Sequence, residues 1–403
     1  MTTAVTTEAL RSAFHERYGG PEPVILVRAP GRVNLIGEHI DYNGLPVFPM
    51  AIQRHVALLC RPRADAIVRI ASLDPGFTPR EFLVSADIPP EALGDWGNYV
   101  KAAAQALARH HGALRGFDAV LGSSLPVASG LSSSAALVVA VGVALLRVNQ
   151  QPVAIVPLAE EMARAERYTG TQGGGMDQAI CLGARAGTAT RVDFQPLRLA
   201  ARPIPPGWHF VVASSMERAE KSGGAQERYN ARTRECAAAL AAVTARLGLS
   251  GHGYRELLRS RSRDQLLAAG DAVLADPVRR RFRHVITEAL RVTQAEDALM
   301  RADLAEFGRC LSGSHHSLRD DYEVSIPALD ELVTIAEAGG AAGARLTGAG
   351  MGGCIVAVCR EEALGAVLAA LRERFYAPRG IADAEDRHYF VAEPSAGARV
   401  EIL

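Results

Sequence analysis

The sequence predicts a chain of mixed helices and strands in two domains, organised around a loop of small residues that opens a helix. Three observations carry this. The 403 residues exceed what one hydrophobic core usually holds, so two domains are the default. Apolar residues make up 48% of the chain, enough for sizeable cores. The stretch Pro126-Val127-Ala128-Ser129-Gly130-Leu131-Ser132-Ser133-Ser134-Ala135-Ala136 then runs into an Ala/Val/Leu-rich segment, Ala135 to Leu146, that reads as a buried helix. The first N–H groups of a helix lack intrahelical partners and its dipole favours negative charge there, so such a loop is a ready anion site. Ser hydroxyls add donors and a ligand for Mg²⁺. A serine-rich cap on an ordinary core helix reads the same way, and the loop alone does not separate the two. It is not a Walker A loop, because no Gly-Lys-Ser/Thr closes it.

Composition excludes several classes. With 44 basic and 44 acidic residues the formal net charge is zero, which argues against nucleic-acid scaffolds and general membrane-surface binders. Six scattered cysteines form no CxxC pair and read as reduced, buried thiols of a cytoplasmic protein. Met1 to Arg17 has no apolar core of signal-peptide type, and no apolar run is long and clean enough to span a bilayer.

Taken in order, Thr7 to Tyr18 reads as an amphipathic helix and Val24 to Ala29 as a strand ended by Pro30-Gly31. Val33 to Ile36 reads as a short buried strand. Gly37 breaks it, and Glu38, His39 and Asp41 follow at once. Three ionisable groups in four residues, placed directly after an apolar strand, suit the holding of several hydroxyls, since carboxylates accept and imidazole both donates and accepts. A solvated turn ending in Asn43-Gly44 is the plainer alternative. Val47 to Arg61, Ile67 to Leu73 and Phe117 to Leu121 read as strands, and Trp96 to His110 and Val153 to Tyr168 as helices. In Gly173-Gly174-Gly175-Met176-Asp177-Gln178, consecutive glycines ask for unusual backbone angles or close ligand approach. Asp177 there is a helix cap or a carboxylate aimed at a substrate.

Gly187 to Phe194 and His209 to Ser214 read as strands. The proline-rich Gln195 to Gly207 between them reads as the inter-domain connection, dividing the chain into 1–205 and 206–403. Gln226 to Leu247, Arg255 to Ala269 and Arg279 to Ala302 read as helices, and the basic run at Arg279 to Arg283 as a helix face rather than a nucleic-acid patch. Ser314 to Tyr322 reads as polar and irregular, its His315-His316 pair lacking further metal ligands at standard spacing. After a helix over Ile326 to Ala338, Thr347 to Cys354 is a second glycine-rich loop leading into a strand. A helix over Glu361 to Tyr376 and edge strands at His388 to Val391 and Arg399 to Leu403 complete the chain.

Three of these stretches resemble a known family. Arg28-Ala29-Pro30-Gly31-Arg32-Val33-Asn34-Leu35-Ile36-Gly37-Glu38-His39 resembles the galactokinase signature, Gly130 to Ala135 the phosphate loop of the GHMP kinase superfamily, and Thr347 to Cys354 its third motif. Ser317 to Ser325 is also close to galactokinases. The resemblance spans about Val27 to Val358. It implies an α+β, two-domain GHMP kinase fold with the active site in the inter-domain cleft, the third motif crossing over to support the phosphate loop. It further implies an ATP-dependent sugar 1-kinase acting on galactose, with N-acetylgalactosamine or another galacto-configured sugar as the alternative.

By position, the resemblance puts Arg32 beside the transferring phosphoryl group. It assigns Glu38, His39, Asp41, a backbone group of Gly174, and Tyr229 to the sugar, and sets Asp177 against the C1 hydroxyl, where a carboxylate can take the proton as base or only orient the hydroxyl. ATP would lie on Ser129, Gly130, Leu131, Ser132, Ser133 and Ser134, with Trp96 near the adenine. Ser134 and Glu166 would take Mg²⁺. The residue types suit the reaction, since phosphoryl transfer needs charge neutralised on the moving group and an oriented nucleophile. Departures lie at Ile40, Gln53, Ala349 and Met351, and Ser214 to Arg218 lacks a Lys-His common in bacterial galactokinases. Glu38 to Asp41 and Glu166 to Gln178 look closer to the N-acetylgalactosamine kinase branch. Some family members are sugar- and ATP-binding transcriptional sensors without catalysis, but the loop serines, Arg32 and Asp177 that such a sensor would lack in part are all present. The expected partners are the sugar and ATP, with no nucleic acid or membrane, in a monomer or weak homo-oligomer.

Overall fold

The computed structural model describes residues 5–218, 224–249, 253–381 and 383–403, so Met1 to Ala4 of the N-terminal stretch lie outside the described residues. The first half of the chain runs α1 (Thr7–Tyr18), β1 (Ile25–Ile36), β2 (Phe48–Pro62), β3 (Ile67–Ser72), β4 (Arg80–Leu83), α2 (Gly97–His111), β5 (Phe117–Ser123), α3 (Ser133–Val148), α4 (Ile155–Ala165), α5 (Met176–Gly183), β6 (Thr188–Asp193) and β7 (Arg198–Pro203). The second half runs β8 (Trp208–Ser214), α6 (Gly224–Arg246), α7 (Tyr254–Ser260), α8 (Arg263–Val273), α9 (Val278–Met300), α10 (Leu304–Asp320), α11 (Pro327–Ala338), β9 (Gly343–Thr347), β10 (Cys354–Arg360), α12 (Glu361–Leu371), β11 (Tyr389–Ala392) and β12 (Arg399–Ile402).

Two main sheets carry the architecture. One has the order β12-β1-β2-β5-β3-β4, and β3 with β5 is its parallel pair; the other is antiparallel with the order β11-β8-β10-β9. Helix α1 is capped by the Thr6 hydroxyl, which accepts from the Ala9 N–H. It seals one face of the first sheet by laying Leu10 and Phe14 on Leu26, Leu59 and Val120. Helix α3 is buried along almost its whole length against β1 and β2 on the other face. That accounts for a helix apolar on every side: its partners surround it. Helices α10, α11 and α12 cover the second sheet. No helix among the described residues is long and apolar enough to cross a membrane.

The structure departs from the sequence expectations at several points. The two strands expected on either side of Pro30-Gly31 are one strand, β1, whose pairing with β2 shifts register between Pro30 and Arg32. A bulge of this kind tolerates a proline that has no N–H for the ladder. It also turns the Arg32 N–H onto the Leu131 carbonyl, 3.2 Å away. The proline-rich Gln195 to Gly207 is more than a connection, since it contains β7, which pairs with β6 in a two-stranded sheet. β12 pairs with β1, so the last strand lies in the first sheet and the residues after 205 do not all belong with the second half of the chain. Arg80 to Leu83 adds an edge strand. The segment Arg255 to Ala269 is two helices, the second begun by a Ser262–Gln265 capping box.

Ser314 to Asp320, expected to be irregular, continues α10. Ser314, His315 and Ser317 face inward: Ser314 donates to Glu288, and the His315 ring accepts from the Leu346 N–H. His316 is exposed, so the two histidines do not share one ligand site.

Candidate active site

At the end of β1, Gly37 turns the chain with φ 100°, where a Cβ would stand 2.9 Å from Val292 and 3.0 Å from the Val47 backbone. Only glycine fits there. The Gly37 N–H donates to Glu288 Oε1 (2.9 Å), a carboxylate held near a pKa of about 2: burial would raise it, but Arg291 and neighbouring cations outweigh that. This pinned turn delivers Glu38 and His39 into the interior, His39 itself at φ 62°.

Glu38 Oε1 accepts from the Gly348 N–H (2.5 Å), while Oε2 accepts from the Arg345 guanidinium (3.0 Å) and from the Asn34 amide. Of about four lone-pair positions on a carboxylate, three are therefore taken. Burial pushes the Glu38 acid up, and Arg345 and Arg32 oppose it. Burial holds the His39 imidazole neutral, its pKa lowered to about 3. Its Nε2 lies 3.1 Å from the Ala349 carbonyl and its Nδ1 3.0 Å from the Tyr42 hydroxyl. Asp41 opens a short turn over Asp41–Asn43. Burial, and then the charge of Asp177, raise its pKa to about 6. Gly174 packs so closely on this turn that a Cβ would meet the Tyr42 nitrogen at 2.3 Å.

Arg32, 4% exposed, joins two regions. Its Nε donates to Asp177 Oδ1 (2.8 Å), on the first turn of α5, and its Nη1 to the Gly130 carbonyl (2.5 Å). Arg32, Glu38, His39, Asp41, Glu166, Gly174, Asp177 and Tyr229 line one pocket between the two halves of the fold. Tyr229, from α6, lies 5.5 Å from the His39 ring and 5.7 Å from the Tyr42 ring, with its hydroxyl pKa driven up by burial and by Asp41 and Asp177.

Beside this pocket, Ala128, Gly130 and Ser132 all have positive φ, so the loop folds back on itself before α3 begins. A Cβ on Gly130 would stand 2.8 Å from the Thr347 carbonyl, and one on Gly348 2.6 Å from the Gly130 carbonyl. The two glycine-rich loops thus touch backbone to backbone. Ser129 donates to the Pro126 carbonyl (2.8 Å), whereas Ser132 Oγ is buried at the mouth of the helix with no hydrogen-bond partner among the described residues. Ser134 Oγ and Glu166 Oε1 lie 3.1 Å apart, and Gln178 holds the other Glu166 oxygen (2.6 Å). A hydroxyl and a fixed carboxylate beside a helix N-terminus form a hard-oxygen donor set that fits Mg²⁺. Trp96 stands apart from the pocket lining: at the start of α2 its indole donates to the Thr78 carbonyl (3.0 Å) and meets Phe77 edge-on.

Comparison with known proteins shows the family and the fold. Residues 12–62 match the galactokinase galactose-binding signature, 98–184 the GHMP kinase N-terminal domain and 295–377 the GHMP kinase C-terminal domain. A galactokinase from Roseiflexus sp. (strain RS-1) is 41% identical over 360 residues, covering 89% of each chain. The chain belongs to the galactokinase family. The crystal structure of Lactococcus lactis galactokinase complexed with galactose superposes with a TM-score of 0.87 at 30% identity, covering 97% of this chain and 99% of that one. Methanococcus jannaschii mevalonate kinase, 18% identical with a TM-score of 0.60 over 94% of this chain and 98% of its own, shares the fold.

Several residues that shape this galactokinase-family site escape the sequence reading. Arg345 is fully buried in β9, and a lone arginine inside an apolar strand was the available signal. Asn34 sits inside the signature itself. Glu288 lies on a helix rich in charge, where nothing in the pattern marks it as buried. Tyr322 is fully buried and reaches Tyr42 from a stretch that reads as irregular.

Proposed function

We propose that this chain is an ATP-dependent galactokinase that transfers the γ-phosphoryl group of ATP to the C1 hydroxyl of galactose, giving galactose 1-phosphate and ADP. The observation that carries the reading is the position of Arg32, which holds Asp177 on one side and the phosphate-loop carbonyl of Gly130 on the other. A guanidinium there lies between a sugar hydroxyl at Asp177 and a phosphoryl group over α3. It can stabilise the charge that builds on the phosphoryl oxygens.

In this mechanism the remaining lone pair of Glu38, the Asp41 carboxylate, the Gly174 backbone and the Tyr229 hydroxyl hold the sugar. Asp177 orients the C1 hydroxyl and takes its proton as the new O–P bond forms. The Ser132 hydroxyl and the first N–H groups of α3 receive ATP phosphate oxygens. Ser134 and Glu166 would hold Mg²⁺, which when bound offsets phosphate charge. Trp96 borders the adenine from the start of α2. Asp177→Asn should lower kcat about 10²–10⁴-fold, the usual contribution of a general base, and near-normal turnover would reduce Asp177 to an orienting role. The six buried, unpaired thiols suit a reducing compartment such as the cytoplasm.

The deciding experiment is a coupled ADP-release assay with ATP and Mg²⁺ on galactose, N-acetylgalactosamine, glucose and mevalonate. Turnover on galactose well above the others supports the proposal. A preference for N-acetylgalactosamine moves the substrate to that sugar and directs attention to the Gly173–Asp177 loop. Binding of sugar and ATP without turnover on any of the four overturns the kinase reading.

A further inference from the structure

The sugar side of the pocket is backed by a chain of buried hydroxyl and thiol groups that none of the sugar contacts above includes. His39 Nδ1 lies 3.0 Å from Tyr42 Oη, Tyr42 Oη 2.6 Å from Tyr322 Oη, and Tyr322 Oη 3.1 Å from Cys236 Sγ. Tyr322 and Cys236 are fully buried. Asn43 closes the loop, since its amide donates to the His39 carbonyl (3.3 Å) and also hydrogen-bonds Cys236.

Counting protons fixes the direction of every bond. The Ala349 carbonyl, 3.1 Å from His39 Nε2, can only accept, so Nε2 carries the hydrogen. The ring is neutral, because burial disfavours the imidazolium. Nδ1 must therefore accept, and Tyr42 must donate to it. With its one proton committed, the Tyr42 oxygen accepts from Tyr322, and the Tyr322 oxygen in turn accepts from the Cys236 thiol. No alternative arrangement satisfies all four groups.

We propose that Tyr42, Tyr322 and Cys236 are positioning residues that satisfy His39 Nδ1 and so hold the ring with its Nε2–H on the Ala349 carbonyl, at the wall of the sugar pocket. The same N–H holds Ala349, next to Gly348, whose N–H binds Glu38 and whose Cα rests on the Gly130 backbone of the phosphate loop. The chain of donors thus also fixes the third glycine-rich loop against the phosphate loop. A wrong His39 tautomer would set a lone pair against the Ala349 carbonyl and loosen both the sugar contacts and this seam.

The inference rests on reading this pocket as the sugar site, and its test has a readout that does not depend on which sugar is used. Histidine ¹⁵N–¹H correlation spectra of the full-length protein should show His39 as the Nε2–H tautomer. Tyr42→Phe removes the donor to Nδ1, so the Nδ1 resonance should move to that of a nitrogen with no hydrogen-bond donor while Ala349 keeps the Nε2–H form. In the same variant, KM for the sugar should rise about tenfold, the worth of one oriented hydrogen bond, with kcat changed far less. Tyr322→Phe leaves the direct donor in place and should give a smaller rise in KM. A Tyr42→Phe protein in which the His39 Nδ1 resonance does not move overturns the proposal, even if KM rises, because a merely structural phenol would act without bonding the ring. If wild-type His39 is itself the Nδ1–H form, the proposal fails outright, whatever the sugar proves to be.

Discussion

The two sides of the cleft differ in how far the fold itself makes their hydrogen bonds. On the proposed sugar side, Glu38, His39, Asn34 and Arg345 are tied to one another and to Gly348 and Ala349, with Asn34 Oδ1 and Arg345 Nε left without a partner among the described residues. On the proposed phosphate side, Ala128 and Ser132 carry the same positive-φ strain as His39 does across the cleft, and the buried Ser132 hydroxyl has no partner among the described residues. On the proposed reading, the molecule fixes much of its sugar geometry by folding and leaves part of its phosphate geometry to be completed by the nucleotide. Arg32 is the joint between the two, with one bond to each.

Removing the joint should have the largest effect. Arg32→Met deletes the cation that bridges Asp177 and the phosphate loop, and kcat should fall by about 10³–10⁵, the range for an arginine that stabilises a transferring phosphoryl group. Binding of the sugar, measured calorimetrically, should change far less, because Glu38, Asp41 and Tyr229 stay in place. A large loss in sugar affinity with kcat nearly unchanged would mean that Arg32 acts mainly in the ground state.

The next effect should appear in stability. Glu38→Ala leaves the fully buried Arg345 guanidinium, the Asn34 amide and the Gly348 N–H without their acceptor. Breaking a buried pair by removing one partner costs about 3–5 kcal/mol, so the urea midpoint should drop sharply. A shift within the noise would show that the sugar wall is not set by folding and would collapse the contrast between the two sides.

How much of this was legible beforehand follows the same divide. The loop over Ser129 to Ser134 is contiguous in the chain, so local composition marked it as a loop opening a helix, and the Gly37 break followed by Glu38, His39 and Asp41 marked the turn after β1. What could not be read is what completes the sugar wall from a distance. Arg345 reaches Glu38 across 307 positions, and Glu288 reaches Gly37 across 251. No spacing rule connects such pairs, since only the pairing of sheets and the packing of α9 on β1 bring them together. Ser314 to Asp320 failed for a related reason: its polarity looked like a solvated loop because its buried partners, Glu288 and Leu346, come from other elements.

Acid should expose the sugar side alone. Asp41 titrates near 6 because burial and Asp177 raise it, so it is a carboxylate at pH 7 and mostly protonated at pH 5. If the carboxylate accepts sugar hydroxyls, kcat/KM for the sugar should fall about tenfold over that interval, with the inflection near 6 belonging to the free enzyme. Asp41→Asn should start low and lose the inflection. An unchanged inflection in that variant would assign it to another group.

The smallest expected effect separates the two sides most cleanly, because it should have opposite signs in two measurements. Ser132→Ala removes a hydroxyl that is buried and unpartnered in the free protein. An unsatisfied buried polar group costs about 1–3 kcal/mol, so the ligand-free variant should be slightly more stable than the parent. If the hydroxyl waits for an ATP phosphate oxygen, KM for ATP should rise about fivefold, the loss of one hydrogen bond of about 1 kcal/mol, while the sugar KM stays put. Greater stability with weaker ATP binding is what a site left unfinished for its ligand requires. Lower stability with unchanged ATP binding would mean that the hydroxyl serves the fold, and the phosphate loop would then be as self-sufficient as the sugar wall beside it.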